Sequence, residues 1–328
     1  MITPCGEPLA LLHGVLLQAE ASAKPTFRAF DSVLDDVWLE DLWARTMPLR
    51  WRISEESLQA VLSDTKLFLV AEHNGGPVGL GAVDYDLSGE AGLVFLAVDP
   101  MWQGRGIGTN LLQALERDLK ASKIHILRLG AVSTATYLWP GMPAELEAAW
   151  PFFERRGWLR EEGCADLVQK LDEFATPAWL TNGMDDAGVT LRLSSSELRA
   201  SVAAFEAQHF PAWSGYFRQS PLFNDENERV LIAQDVSGQI VGTLLLDAQV
   251  PRRWCVDENA QAGSINVLGV ALNKRQHGIG LALAAKAMEI LQARGCAKCY
   301  IQWTGLAAWY GKLGTSVWAE YRMAKKFL

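Results

Sequence analysis

The feature that most constrains this chain is a pattern that occurs twice, 172 residues apart. An apolar run of strand length at 93–98 leads into a glycine-rich loop at 103–108, and an amphipathic stretch follows. The same order recurs with an apolar run at 265–270 and a loop at 275–280. A spacing of this size matches a whole domain and is far longer than a solenoid repeat. The repeat therefore predicts two domains of one design.

The segments around the loops repeat in the same order. Two strands joined by a short turn precede each loop, at 68–83 and 230–246, and a further strand and a short helix follow it. Each half therefore reads as mixed α/β. A chain of 328 residues has room for two such domains, which we place at 1–174 and 175–328. Proline, glycine, asparagine and aspartate cluster within 173–188, which indicates the linker.

Charge and hydropathy exclude several classes of protein. The net charge is −8, which argues against nucleic acid as the main partner, since such proteins normally carry a basic patch. The longest apolar runs fall well short of the roughly 20 residues of a membrane span. The first seven residues place no basic stretch ahead of an apolar one, so we expect no signal peptide and a cytoplasmic protein.

The five cysteines do not indicate a disulfide framework, because their number is odd and the expected compartment is reducing. Cys296 and Cys299 have the spacing of a redox or zinc pair. A zinc site needs about four ligands, however, and no second pair accompanies these two. We therefore expect two thiols at the start of a strand and no metal.

The two loops have the composition of anion sites. A strand, a glycine-rich loop and a helix N-terminus present backbone N–H groups and the positive end of a helix dipole to an anion. Neither loop has the lysine and serine or threonine of a Walker loop, and 104–108 lacks the third glycine of a dinucleotide loop. Both loops do fit the pattern Q/R-x-x-G-x-G/A.

With this pattern the chain resembles the GNAT superfamily of acetyl-CoA-dependent N-acyltransferases. The resemblance implies two tandem domains, each a mixed, mostly antiparallel twisted sheet flanked by helices. It also implies that each loop holds the pyrophosphate of acetyl-CoA and that the preceding strand contacts the pantetheine arm. The implied contacts are Val98, Gln103, Gly104, Arg105, Gly106, Ile107 and Gly108 in the first half, and Leu268, Val270, Arg275, Gln276, His277, Gly278, Ile279 and Gly280 in the second.

Two further segments, 137–143 and 303–314, resemble those of tandem bacterial members of this family. Relatives of this kind include glucosamine and glucosaminide N-acetyltransferases. The resemblance therefore suggests an acetyl transfer to the primary amine of a small molecule, with an amino sugar as one candidate.

The last helix of each half distinguishes the two domains. In many members of the family a tyrosine four residues before the closing glycine protonates the leaving thiolate. That position is Tyr310, before Gly314, in the second half and Phe153, before Gly157, in the first. A phenyl ring cannot donate a proton, so the resemblance makes Tyr310 the general acid. It predicts a catalytic second domain and a degenerate, structural first one.

The sequence does not identify the general base. Candidate carboxylates precede two strands of the second half, but a single carboxylate is more often a solvated surface charge, so a water relay is the expectation. The candidates are Asp225, Glu226, Glu228, Asp257 and Glu258. His277 lies inside the loop, where phosphates would favour its charged form. We therefore assign it to phosphate contact.

Acceptor specificity in this fold comes mainly from the first helices, where Phe210 and Trp213 offer aromatic faces to a sugar ring or an organic cation. The same pair could equally anchor the helix turn. Two other functions stay open: acetylation of a protein or peptide, and binding of acyl-CoA by a sensor without turnover. The expected assembly is a monomer or a homodimer.

Overall fold

The computed structural model describes residues 25–54, 58–59, 65–85, 89–130, 132, 138–181, 188–218, 220–223, 228–248 and 261–328. Within these ranges the chain forms fifteen β-strands and six α-helices. The strands are β1 Thr26–Ala29, β2 Leu67–His73, β3 Gly76–Tyr85, β4 Glu90–Val98, β5 Ile126–Leu129, β6 Met142–Pro143, β7 Leu159–Arg160, β8 Cys164–Lys170, β9 Thr190–Leu193, β10 Val230–Gln234, β11 Ile240–Asp247, β12 Ala262–Val270, β13 Lys298–Thr304, β14 Ser316–Arg322 and β15 Ala324–Phe327. The helices are α1 Ser32–Thr46, α2 Ile107–Ala121, α3 Trp150–Glu154, α4 Arg199–His209, α5 Ile279–Ala293 and α6 Ala307–Tyr310.

The first compact unit is built on a seven-stranded sheet in the order β1-β2-β3-β4-β5-β15-β7. Neighbouring strands of this sheet are antiparallel except for β4 and β5, which run parallel. Helix α2 buries apolar side chains at helical spacing, including Leu111 and Leu115, against this sheet. A Cβ at Gly81 of β3 would lie 2.7 Å from Leu115, so glycine lets the helix approach the strand closely.

The second unit repeats this arrangement in the order β9-β10-β11-β12-β13-β8-β14, and the short strand β6 pairs with the end of β14 at Tyr321 and Arg322. Strands β12 and β13 form its parallel pair. Helix α5 is apolar nearly all round and buries ten of its fifteen residues in the core of the unit. Both units therefore share one design, as the repeat in the sequence predicts.

The strand at one position of each sheet comes from the other half of the sequence. Strand β15, at the C-terminal end, lies between β5 and β7 in the first sheet. Strand β8, from the first half of the sequence, lies beside β13 in the second sheet. The chain thus exchanges one strand in each direction.

The compact units therefore differ from the halves defined by the sequence. The first unit comprises residues up to Gly163 together with Tyr321–Leu328, and the second comprises Cys164–Glu320. The sequence placed the boundary after residue 174 and kept each half continuous. An apolar alternating segment such as 164–170 reads as a strand, but its pattern does not specify which sheet edge it pairs with.

Helices α1, α2 and α5 are the longest in the described ranges, at fifteen residues each. None of the described helices has the length and apolar character of a membrane span.

The exchange of strands predicts which fragment of the chain retains its fold. A fragment 175–328 lacks β8, so β13 and β14 lose the strand that joins them in the sheet. We expect this fragment to show no cooperative thermal transition by circular dichroism, whereas the fragment 164–320, which contains β8 to β13 and most of β14, unfolds cooperatively. A cooperative transition for 175–328 that matches that of 164–320 would contradict the assignment of β8.

Candidate functional site

The two glycine-rich loops have the same backbone conformation. Gly104 and Gly106 have φ of 76° and 79°, and Gln276 and Gly278 have φ of 70° and 79°. Left-handed residues thus alternate with a residue of ordinary backbone in both loops, a pattern that turns N–H groups toward a concave anion site. Gly106 and Gly278 are also the N-caps of α2 and α5. Each loop therefore places the positive end of a fifteen-residue helix at its floor.

The first side chain of each loop binds the strand that precedes it. Gln103 donates from Nε2 to the carbonyl of Val98 at 3.0 Å, and Arg275 donates from Nε to the carbonyl of Val270, also at 3.0 Å. Both residues were expected to contact acetyl-CoA. In the structure these bonds tie the start of the loop to the end of the strand, which fixes the position of the backbone N–H groups.

The remaining loop side chains divide into exposed and buried groups. The guanidinium carbon of Arg105 lies 4.6 Å from the centroid of the Trp102 ring, and His277 Nδ1 donates a hydrogen bond to the carbonyl of Arg275 at 2.8 Å. Both are exposed at the surface of their loops. Ile107 and Ile279 are buried in the cores, so they anchor the helices and offer a ligand only their backbone.

In the second unit the two parallel strands part before they end. Strands β12 and β13 pair from Ala262 with Lys298 to Ile265 with Ile301. Beyond that point Val267 and Trp303 have left-handed backbones, with φ of 43° and 52°, which bends each strand away from its partner. The end of β12, which includes Leu268 and Val270, therefore presents backbone groups that do not pair with β13.

The first unit has the same opening between β4 and β5. Their pairing ends at Leu93 with Leu129, while β4 continues to Val98. The opening holds a cavity of about 220 Å³ whose lining includes Trp139 and Phe153. Phe153 is buried and meets Trp158 edge to face at 5.4 Å between ring centroids. Its place in the first unit is that of a core aromatic residue.

Tyr310 holds the position in the second unit that Phe153 holds in the first. A Cβ at Gly280, in the first turn of α5, would lie 3.1 Å from Trp309, and a Cβ at Gly108, in the first turn of α2, would lie 3.5 Å from Phe152. The residue that follows is Tyr310 in one unit and Phe153 in the other. Each short helix therefore lies against the start of its loop helix.

The environment of Tyr310 keeps its phenol protonated. The side chain is only 6% exposed, and its ring meets Trp309 edge to face at 4.7 Å. Burial raises the pKa of the Tyr310 hydroxyl well above its usual value, with a smaller effect from Cys299 in the same direction. At neutral pH the residue is therefore a proton donor.

The structure also brings Phe210 and Trp213 together. Their rings stack at 5.1 Å with an interplanar angle of 11°, and both are half-buried. Phe210 lies against β12, since a Cβ at Gly269 would come within 2.9 Å of three of its ring atoms. The pair therefore stands beside the end of the strand that leads to the second loop.

A buried carboxyl group near this pair was missed in the sequence. Glu206 of α4 is fully buried; it accepts a hydrogen bond from the Thr243 hydroxyl, and its Oε2 has no hydrogen-bond partner. Burial raises the pKa of Glu206 to about 7, although the Thr243 hydrogen bond acts against this shift. The signal was available, because Glu206 follows Val202 and Phe205 on the apolar face of the helix.

The other carboxylates proposed as a base are not brought to this site. Asp225, Glu226, Asp257 and Glu258 lie outside the described residues, as does Tyr137 of the first insertion. Glu228 is described and lies two residues before β10. Among the described residues, it makes no hydrogen bond or ion pair with the loop or with Tyr310.

The two cysteines of the 296–299 segment are both buried, and burial raises the pKa of each thiol. They are therefore protonated at neutral pH, which disfavours thiolate chemistry. In the part of the chain that the structure describes, no group of three or more histidine, cysteine, aspartate or glutamate side chains could hold a metal ion.

Comparison with known proteins gives one family and several relatives. Residues 30–158 and again 194–314 match the family described as Acetyltransferase (GNAT) family. An acetyltransferase from Pectobacterium atrosepticum is 41% identical over 92 residues, which cover 26% of this chain and 64% of that protein. The match thus spans less than two thirds of the length of that relative.

Two solved structures share the architecture of nearly the whole chain. One contains the glucosamine N-acetyltransferase region of a fungal multi-domain β-N-acetylglucosaminidase, with a TM-score of 0.83 and 24% identity over 93% of this chain and 38% of that chain. The other is a tandem GNAT protein from the clavulanic acid biosynthesis pathway, with a TM-score of 0.61 and 16% identity over 93% and 98%. At these identities the likeness concerns the fold.

The raised pKa of Glu206 predicts the pH dependence of stability. An acid whose folded pKa lies above its ordinary value of 4.5 contributes stability that is present below pH 4.5 and is lost as the pH rises through 7. Glu206→Gln removes the charged form. The thermal midpoint of this variant should therefore rise relative to that of the unmodified protein as the pH increases from 5 to 8.

Glu289→Gln is the matched control for this measurement. Hydrogen bonds from Thr176 and Lys286 lower the pKa of Glu289, so its contribution is present above its ordinary pKa and is lost only at lower pH. This variant should show a small, constant deficit over the same range. A midpoint difference for Glu206→Gln that does not change with pH would show that the carboxyl does not titrate there.

Proposed function

Because the chain belongs to the GNAT acetyltransferase family, we propose that it transfers an acetyl group from acetyl-CoA to the primary amine of a small molecule. The second unit is the proposed site of the reaction. The observation that carries the proposal is the combination, in that unit, of an anion-binding loop, an open strand end and a buried phenol next to the start of the loop helix.

The loop and the strand are the proposed binding site for acetyl-CoA. The backbone N–H groups at Gly278 and Gly280 and the N-terminus of α5 would bind the pyrophosphate. The unpaired end of β12, at Leu268 and Val270, would pair with the amide groups of the pantetheine arm. Both parts are fixed before the ligand arrives, because Arg275 holds the loop to the strand.

Tyr310 is the proposed general acid. Attack of the neutral amine on the thioester carbonyl forms the C–N bond, and breaking of the C–S bond releases coenzyme A as a thiolate. The Tyr310 hydroxyl supplies the proton that converts this thiolate to the thiol, and the phenolate regains a proton from the new amide nitrogen through water. The hydroxyl is protonated at neutral pH, so it can supply this proton.

The first unit is proposed to be without turnover. It has the loop and the opening, but Phe153 stands at the position of the proton donor. The proposed role of this unit is therefore structural, and its loop retains the geometry of an anion site.

An amino sugar is the proposed acceptor. The fungal relative in structure is a glucosamine N-acetyltransferase region, and the Phe210–Trp213 stack offers an aromatic face of the kind that packs against sugar rings. The net charge of −8 argues against nucleic acid as the acceptor. We place the activity in the cytoplasm, without a metal.

The proposal is tested by release of free thiol from acetyl-CoA in the presence of amino sugars, aminoglycosides, polyamines and peptides. Turnover with an amino sugar supports the proposal. Turnover with peptides alone would show that the function is protein acetylation. Binding of acetyl-CoA by calorimetry without turnover on any amine would make it an acyl-CoA sensor.

A matched pair of loop variants tests which unit works. Gly106→Asp and Gly278→Asp place the same side chain at φ of 79° in each loop, so their backbone strain is alike. The carboxylate repels a pyrophosphate, and Gly278→Asp should lower acetyl-CoA affinity at least tenfold, about 1.4 kcal/mol, and abolish thiol release. Gly106→Asp should leave substantial turnover. If Gly106→Asp is the inactive variant, the roles of the two units are reversed.

Removal of the Tyr310 hydroxyl tests the acid. Tyr310→Phe keeps the ring, so it should leave the affinity for acetyl-CoA nearly unchanged and lower kcat by about 10²–10⁴-fold. Calorimetry and thiol-release kinetics measure the two quantities separately. Phe153→Tyr is the reverse exchange and should not create activity. Retention of more than about half of kcat by Tyr310→Phe, when chemistry limits the rate, would make Tyr310 a packing residue.

A further inference from the structure

We propose that Thr243 and Glu206 form a proton relay that takes the proton from the acceptor ammonium, an inference that rests on the proposed acetyl transfer in the second unit. An amine must lose a proton before it attacks a thioester, and the structure provides a carboxyl group with a hydroxyl in front of it. The two side chains come from different elements, helix α4 and strand β11.

The pair lies beside the end of strand β12. Thr243 is the register partner of Gly269, one residue before the end of β12. Paired residues of neighbouring strands direct their side chains to the same face of a sheet. The ring of Phe210 lies on that face, over Gly269, one helical turn after Glu206. The relay therefore stands at the level where β12 has parted from β13 and where the aromatic stack begins.

The carboxyl group of Glu206 is buried with one oxygen unsatisfied. Both Glu206 and Thr243 are fully buried, and Glu206 Oε1 accepts the hydrogen of the Thr243 hydroxyl. Glu206 Oε2 is buried without a partner. A buried carboxylate with an unsatisfied oxygen costs free energy, so a purely structural role is a poor explanation for it. The same cost makes the carboxylate a good proton acceptor near neutral pH.

The first unit provides a natural comparison. Leu80 is the register partner of Ala97 and occupies in β3 the place of Thr243 in β11. The buried residues of the first-unit helix α1 are Asp35, Leu39, Leu42 and Trp43, and the Asp35 carboxylate is paired with Arg28. The unit that has Phe153 at the position of Tyr310 thus has an apolar residue, Leu80, at the position of Thr243 as well.

Within the described residues, no charged group forms an ion pair with Glu206, so its titration depends on burial and on Thr243. Strands β10 and β12 contribute no ionisable side chain to the described part of this face. The ionisable side chains on the elements packed against α4, or on the helix itself, are Glu197, Arg199, His209, Tyr216, Arg218 and Asp247.

The relay has a defined proton balance. An acceptor that displaces the Phe210 ring from Gly269 brings its ammonium to the Thr243 hydroxyl. The ammonium gives one proton to Thr243 Oγ while the hydroxyl hydrogen passes to Glu206 Oε1. The freed electron pair on nitrogen forms the C–N bond, and the Glu206 carboxyl later returns its proton to solvent. The reaction as a whole releases one proton, one thiol and one amide.

The test compares pH profiles of kcat/KM with glucosamine as the probe. The unmodified protein should gain activity as Glu206 ionises, with a midpoint near pH 7. Glu206→Gln should lose about 10²-fold at pH 7 and should rise with pH only as the amine itself loses its proton. Acetyl-CoA affinity should stay unchanged in this variant. Glu197→Gln, an exposed change one turn before α4, is the matched control and should keep the original profile.

If Glu206→Gln does not fold, two variants of Thr243 test the relay instead. Thr243→Val removes the hydroxyl and should be as inactive as Glu206→Gln, while Thr243→Ser retains it and should restore most of the activity. If Thr243→Val and Thr243→Ser have equal activity and the original pH profile, the relay is overturned although acetyl transfer stands. If the unmodified protein releases no thiol with any amine, the proposed function itself has failed.

Discussion

The parting of two parallel strands is the constraint on which the rest of the site depends. A parallel pair that stayed in register to its end would use the backbone groups of β12 on β13, and no strand edge would remain for a ligand. The left-handed residues Val267 and Trp303 end the pairing early. The end of β12 then leads directly into the loop and the N-terminus of α5, so an open strand edge and an anion site follow one another along the chain.

The same scaffold carries different side chains in the two units. The loops share their backbone, and the bond from the first loop side chain to the end of the strand is made by Gln103 in one unit and by Arg275 in the other. The differences fall where the second unit has ionisable or polar groups: a phenol in place of a phenyl ring, and Thr243 in place of Leu80. A duplicated fold can lose its chemistry in one copy without losing stability, since an apolar side chain packs in a core at least as well as a buried polar one.

The exchange of β8 and β15 leaves each half of the sequence, divided at residue 174, without one strand of its sheet. Each sheet is complete only when a strand from the other half of the sequence has been added. Contacts between residues far apart in sequence are costly to form, because the intervening chain must first be closed into a loop. The hydrogen bonds of an interior strand then offset this free-energy cost. Neither half of the sequence has a complete sheet by itself.

The sequence alone determined the repeat, the α/β class, the two loops and the presence of a helix after each loop. These features are local, because a glycine at a left-handed position and an apolar face at helical spacing are read over a few residues. It also indicated the difference between Tyr310 and Phe153, because both are counted from a nearby glycine.

Only the tertiary structure decided which sheet receives β8 and β15, that the first loop side chains bind their own strands, and that Glu206 meets Thr243. Each of these depends on residues that are distant in the chain, such as Glu206 and Thr243, which are 37 positions apart. A strand pattern describes faces and not partners, and a glutamate on an apolar face gives no indication of the hydroxyl opposite it. The pairing of elements in space supplies this information, and the chemistry of the buried carboxyl follows from it.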